Sequence, residues 1–155
     1  YTADTAKGLI ARKYECSDNV IPASNSVLAN VFYQLGILFT NNEYISTAEK
    51  MLSRVLNETI EYGSYYANWA MLLGKLAFPD FEVAILGENA LEKAREMYRN
   101  YLPTVTFAGG IQEQLPLMKN RLVNGKTMIY VCENNSCQLP VEKTKNALKT
   151  IKGTL

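Results

Sequence analysis

Glu82-Val83-Ala84-Ile85-Leu86, closed by Gly87, is the stretch on which the fold class turns. It is a short apolar run bounded by a glycine, and it reads as a strand rather than as one more helix. Downstream, Asn89 to Asn100 carries Glu92, Lys93, Arg95 and Glu96 on a wet face and reads as a helix. Pro103 then introduces the strand-like Thr104-Val105-Thr106-Phe107, which Gly109-Gly110 should stop. A third β-rich run, Thr127 to Cys132, follows Asn124-Gly125, and a last helix is expected over about Val141 to Ile151. The order strand, helix, strand, linker, strand, helix describes a small α/β layer with about three short strands. If those strands are parallel, their crossovers should be right-handed.

Upstream of Pro79 the apolar spacing changes to three and four. The loop Ile21 to Ser26 ends in good N-cap residues, and Val27, Leu28, Val31, Phe32, Leu35, Leu38 and Phe39 then predict a buried helix. Thr40-Asn41-Asn42 breaks it. Tyr44, Ile45, Ala48, Met51, Leu52, Val55, Leu56 and Ile60 predict a second helix, antiparallel to the first because the connection is short. Gly63 ends that helix, and Tyr65 to Leu76 predicts a third, packed on several sides and closed by Pro79. The expected class is therefore α+β. A helical segment over 1–78 precedes an α/β tail over 79–155, and one composite domain is equally compatible with the length.

The chain has 155 residues, 48% of them hydrophobic and 20% charged, with 16 Lys and Arg against 15 Asp and Glu, a net charge of 16 − 15 = +1. That composition suits one globular domain and excludes a disordered tail. Near-neutral charge without a basic block argues against nucleic acid as a partner, and no apolar run reaches the ~20 residues of a membrane span. With no histidine, Ser-His, Cys-His and His-metal arrangements cannot arise from this chain alone. No motif calls for a cofactor, and no metal site is expected. The first methionine is Met51, which suggests a segment of a larger protein, and an odd cysteine count of 3 suggests free thiols and a cytoplasmic location.

Four constellations could carry chemistry. Glu15 and Asp18, following Arg12 and Lys13, are candidate acid and base residues for a sugar bond, or an ordinary solvated face. Ser24, Asn25 and Ser26 are candidate contacts for sugar hydroxyls, or N-caps. Cys132 and Cys137 flank a turn-forming loop and could close reversibly into a disulfide, or stay structural thiols; the spacing of dithiol oxidoreductases is absent. Gly87-Glu88-Asn89 sits where phosphate loops sit, but Glu88 would repel an anion, and a tight turn explains it. A tetratricopeptide array fails as well. Phe32, Leu35, Gly36, Phe39 and Ala48 fit one repeat, but the next would place Glu82 at a tight helix contact.

Arg12-Lys13-Tyr14-Glu15, the run from Asp18 to Ser26, Ile85-Leu86-Gly87, Tyr101-Leu102-Pro103 and the run from Tyr130 to Pro140 occur together and in this order. Taken together, the chain resembles the C-terminal part of the thioredoxin-domain-containing proteins related to spermatogenesis-associated protein 20 and bacterial YyaL. Ser24 stands where the family's Pro-Ser-Gly-Asn-Ser form has glycine. The resemblance implies an α/α toroid similar to six-hairpin glycosidases and N-acylglucosamine 2-epimerases, with this chain as its last helices plus a small tail. It further implies that the loop before Val27 lines the toroid's cavity, making Asn25 a sugar contact. The implied partners are the rest of the parent chain, including a thioredoxin-like domain, and a sugar. Two other functions remain open on the residues: a non-catalytic docking domain whose cut face would self-associate, and a redox accessory acting through Cys132 and Cys137.

Overall fold

The computed structural model describes residues 14–134 and 136–153. The expectations placed on Arg12 and Lys13, and on Asn135 of the cysteine loop, lie outside them. The chain is mixed α+β, with six α-helices and a four-stranded mixed sheet among the described residues.

The helical half begins with α1 (Ser24–Phe39), whose buried residues are Ser26, Ala29, Tyr33 and Gly36. The small face of the helix is turned inward. Val27, Val31 and Phe39, expected inside, remain exposed at their edges. The reason is close approach: a Cβ on Gly36 would overlap Ile45 and crowd the Asn41 carbonyl oxygen at 3.1 Å. Ser26, Ala29 and Gly36 let neighbouring helices come nearer than a valine face would allow. Helix α1 ends at Thr40, which adopts a left-handed conformation, and the Asn41 N–H returns to the Gly36 carbonyl.

Asn41 then caps α2 (Asn42–Ser53), its side chain accepting from the Glu43 N–H at 2.9 Å. The second predicted helix is in fact two. It breaks at Arg54-Val55, and α3 (Leu56–Glu61) starts afresh. No proline or glycine marks the break; it turns Val55 into the core beside Leu52 and Trp69. The third helix is shorter than its apolar run. A single 3-10 turn over Gly63–Tyr65 precedes α4 (Ala67–Ala77), where Trp69 and Leu72 are buried but Met71 is exposed. One side of α4 is therefore open rather than packed.

In the second half, β1 (Phe81–Leu86) is the central strand and all six of its residues are buried. It pairs in parallel with β2 (Val105–Gly110) through the crossover helix α5 (Ala90–Tyr98), and antiparallel with β3 (Met128–Glu133). A fourth strand missed in the sequence, β4 (Ser136–Cys137), pairs with β3, so the order is β2-β1-β3-β4. Only one pair is parallel. Gly109 and Gly110 do not stop β2 but continue it, because Gly109 passes so close to Ile85 that a Cβ there would lie 2.5 Å from its carbonyl oxygen.

The two faces of the sheet have different partners. Phe81, Val83 and Ile85 pack with Ile129 and Val131, with Met97 of α5, and with Ala147 and Ile151 of α6 (Thr144–Lys152). Ala84 and Leu86 pack with Ala108, Leu117 and Met118, and with Leu38 of α1. Tyr33 of α1 also donates its hydroxyl to Asp80 Oδ2 at 2.8 Å, just ahead of β1. The helical half and the sheet thus share a core and a hydrogen bond across the 78/79 boundary. No helix among the described residues is long and apolar enough to cross a membrane.

Candidate functional site

Asp18 is 5% exposed, and both its oxygens are occupied. Oδ1 accepts from the Ala23 N–H at 2.9 Å and the Ser26 hydroxyl at 2.6 Å, and Oδ2 accepts from the Asn68 N–H at 2.8 Å. Burial works to raise its pKa, but the hydrogen bonds from Ser26, Ala23 and Asn68 together outweigh it and hold the carboxyl below the ordinary carboxylate value. This carboxylate ties the incoming loop to the start of α1 and of α4. The arrangement suits a structural anion more than a proton-transferring group.

The neighbouring candidates disperse. Glu15 is exposed, and its carbonyl oxygen accepts from Asn25 Nδ2 at 2.8 Å. Ser24, Asn25 and Ser26 lie inside α1 rather than at its cap, which is Ala23. Ser24 therefore occupies regular helix, where no glycine-like freedom is needed. Asn25 borders a small hollow of about 300 Å³ with Cys16, Arg54 and Trp69, and Ser26 is buried. The structure brings Asp18 and Ser26 together, links Asn25 to the Glu15 backbone, and does not gather the five into one open site.

A roomier concavity lies elsewhere. A cleft of about 980 Å³ runs between α1 and α4 and reaches the segment before β2. Its apolar wall is Val27, Val31, Ala70 and Met71; its polar groups are Asn30, Gln34, Lys75 and Thr104, and the exposed Tyr101 stands on the rim. Asn30 is held by its own two hydrogen bonds, from Nδ2 to the Ser26 carbonyl at 3.0 Å and to the Asn68 carbonyl at 2.9 Å. Lys75 Nζ sits 5.8 Å from the centre of the Tyr33 ring. The Thr104 Oγ1 has no hydrogen-bond partner among the described residues. Sequence reasoning missed this cleft because its walls come from three separated segments. The one available signal was Asn30, an amide interrupting an apolar helix.

Beside the cleft, Asp80 receives the Tyr33 hydroxyl. Burial raises the Asp80 carboxyl above its usual range against the opposing pull of Tyr33 and Lys75, and burial together with Asp80 and Glu82 raises the Tyr33 phenol strongly. Among the described residues, no group of three His, Cys, Asp or Glu side chains is placed to hold a metal ion. At Gly87-Glu88-Asn89 the Asn89 N–H is committed to Thr127 Oγ1 at 3.1 Å, and that segment is a turn at the mouth of a hollow of about 310 Å³.

Cys132 and Cys137 are joined by a disulfide between β3 and β4, where they are register partners. Arg121, which no sequence pattern marked, donates from Nη1 to the Cys132 sulfur at 3.2 Å and from Nη2 to the Cys137 sulfur at 2.9 Å. Cys16 is the free cysteine. No protein-family model, no curated protein and no solved structure matches the chain.

Proposed function

We propose that this chain is the carbohydrate-binding closing segment of an α/α toroid, with the α1/α4 cleft as its ligand surface. The observation that carries the reading is the cleft's composition: an exposed tyrosine and an apolar wall beside amide, ammonium and hydroxyl groups. A pyranose presents C–H faces that stack on an aromatic ring, and hydroxyls that pair with amides. Gln34, whose amide lines the cleft, is the group best placed to accept that role. The family that the sequence motifs resemble would imply the same ligand class. Among the described residues no carboxylate lines the cleft, so in this proposal they bind and orient, with any acid and base coming from the rest of the ring. Calorimetric titration of the full chain with neutral and N-acetylated hexoses tests this. Binding that weakens about tenfold in Tyr101→Ala and in Gln34→Ala supports it; silence across the panel, with the fold intact, removes it.

A second reading has its own observation. Val27, Val31 and Met71 form an exposed apolar strip, which would suit docking of the remaining parent helices rather than a small ligand. It predicts self-association of the isolated chain through this strip, measured by sedimentation and abolished in Met71→Glu. A cytoplasmic location belongs to the leading proposal and requires the Cys132–Cys137 bond to be reversible, since lasting disulfides are rare there.

A further inference from the structure

The disulfide joins two sulfurs in unlike surroundings. Cys132 is 1% exposed, within the core side of β3, whereas Cys137 is exposed on the two-residue edge strand β4. Incoming thiols can therefore reach only one of them. Arg121 reaches both, with its two terminal nitrogens divided between the two sulfurs. A disulfide sulfur is neutral and a weak acceptor, so a guanidinium aimed at it gains little until the bond opens. A thiolate at the same place would be a charge-assisted acceptor.

The guanidinium is held rather than merely nearby. The Tyr130 ring centre lies 5.4 Å from Arg121 Cζ, and the Tyr130 hydroxyl donates to the Arg121 carbonyl at 2.8 Å. Glu113 accepts the backbone N–H groups of Asn120, Arg121 and Leu122 at 2.8, 2.6 and 2.6 Å. The other ionisable groups around the pair are Glu82, opposite Cys132 on β1, and Glu133, which follows Cys132 on β3. Both are anionic when ionised, and the charge of Glu82 acts on the Arg121 guanidinium.

We infer that Cys132–Cys137 is an exchangeable disulfide, opened by a dithiol whose thiolate attacks the exposed Cys137 sulfur while Arg121 holds the departing Cys132 thiolate. In the first step a bond forms between the attacking sulfur and Cys137 Sγ, the Cys132–Cys137 bond breaks, and its electron pair goes to Cys132 Sγ. The dithiol's second sulfur loses its proton to water and attacks the first, so that Cys137 leaves as a thiolate and takes a proton from water. The protein disulfide is reduced by two electrons and the dithiol is oxidised to its own disulfide. Opening frees β4 from its covalent link to β3, leaving two residue pairings to hold it.

The test uses the full chain in a Cys16→Ser background, so that only the pair titrates, with dithiothreitol as the dithiol. Opening is followed by alkylation and mass, and the reduced pair by thiolate absorbance against pH. The expected result is opening in millimolar reagent, one thiolate midpoint below the ordinary value of about 8.5, and in Arg121→Gln a raised midpoint with opening about tenfold slower. Arg121→Lys, which keeps the charge but not the fork, should fall between. A bond that stays closed in the folded chain, a wild-type midpoint at or above about 8.5, or equal behaviour of wild type and Arg121→Gln overturns the inference. If Arg121→Gln does not fold, the wild-type opening and midpoint decide by themselves.

Discussion

Ser26 donates its hydroxyl hydrogen to Asp18 Oδ1 over 2.6 Å, eight residues back along the chain, and it is Asp18 rather than any residue of the helix that closes the start of α1. The same carboxylate reaches the first turn of α4 through the Asn68 N–H. Two helix starts, Ser24 and Ala67, 43 positions apart, therefore depend on one buried anion.

Asp18→Ala leaves the Ala23 and Asn68 N–H groups without their acceptor in a buried setting. The expected loss is about 3 kcal/mol of unfolding free energy, the scale of buried bonds to a charged group. Denaturant unfolding followed by the fluorescence of Trp69, the single and buried tryptophan, measures it. Because the folded carboxyl titrates below its ordinary value, its stabilisation is fully present above about 3.9 and disappears as pH falls through the lowered folded value. The wild type should lose stability over that acid range through this group, and Asp18→Ala should not. Equal acid slopes in the two proteins would contradict this assignment.

Tyr33→Phe tests the seam between α1 and the sheet. Asp80 Oδ1 has no hydrogen-bond partner among the described residues, so the tyrosine hydroxyl on Oδ2 is the bond that solvates this carboxylate. Its removal should cost about 1–2 kcal/mol at neutral pH. The sign with pH is opposite to that of Asp18. A carboxyl raised by burial contributes stability when protonated, below its unfolded value, and loses it as pH rises through the folded value. Tyr33→Phe takes away a group that lowers the Asp80 value, so the variant's deficit should shrink on acidification. A deficit that stays constant with pH would assign the cost to packing alone.

How much of this was legible in the sequence depends on how local each signal is. The strand at Glu82 to Leu86, the helix break at Thr40-Asn41 and the small residues Gly36 and Ala48 are each carried by short local signals, and all are where the pattern puts them. Ser24 to Ser26 misled because the cap position falls on Ala23, which makes no side-chain cap bond, while the Ser26 hydroxyl inside the helix turns to Asp18. The break at Arg54-Val55 has no breaker residue, and the tertiary pull on Val55 that accompanies it is invisible to periodicity. The cleft was not legible because Gln34, Met71 and Tyr101 meet only through the packing of α1 on α4. Arg121 lies 11 and 16 residues from the sulfurs it serves, in a linker with no pattern of its own.

Gly36→Ala asks whether the α1/α2 crossing is as close as the backbone indicates. The added methyl would overlap Ile45 and press on the Asn41 carbonyl and the Ile45 N–H, both at 3.1 Å. Helix propensity favours alanine over glycine by about 1 kcal/mol, whereas overpacking a tight contact costs about 1–3 kcal/mol. Backbone on two sides of the methyl limits relief, so net destabilisation is expected, and Ile45→Ala in the same chain should recover part of it. A more stable Gly36→Ala protein in thermal unfolding would mean that α2 can move away freely.

Glu113→Gln isolates the support of the Arg121 loop from its guanidinium. The carboxylate is on the surface, yet the N–H groups of Leu122, Asn120 and Arg121 hold its pKa below the ordinary value. The bonds are therefore worth more to the ionised form, and their contribution is present above about 4.3 and fades as pH falls through the lowered folded value. The neutral amide keeps one acceptor oxygen for three donors. Amide hydrogen exchange at Asn120, Arg121 and Leu122 should accelerate in the variant at neutral pH, and in the wild type only when Glu113 is protonated. Exchange in β1 should not change, because its six residues are buried and paired on both sides, with β2 and with β3. If Glu113 positions Arg121 over the disulfide, the same variant opens more slowly in dithiothreitol while its Arg121 charge is intact; acceleration of exchange without any change in opening would confine Glu113 to the loop's own stability.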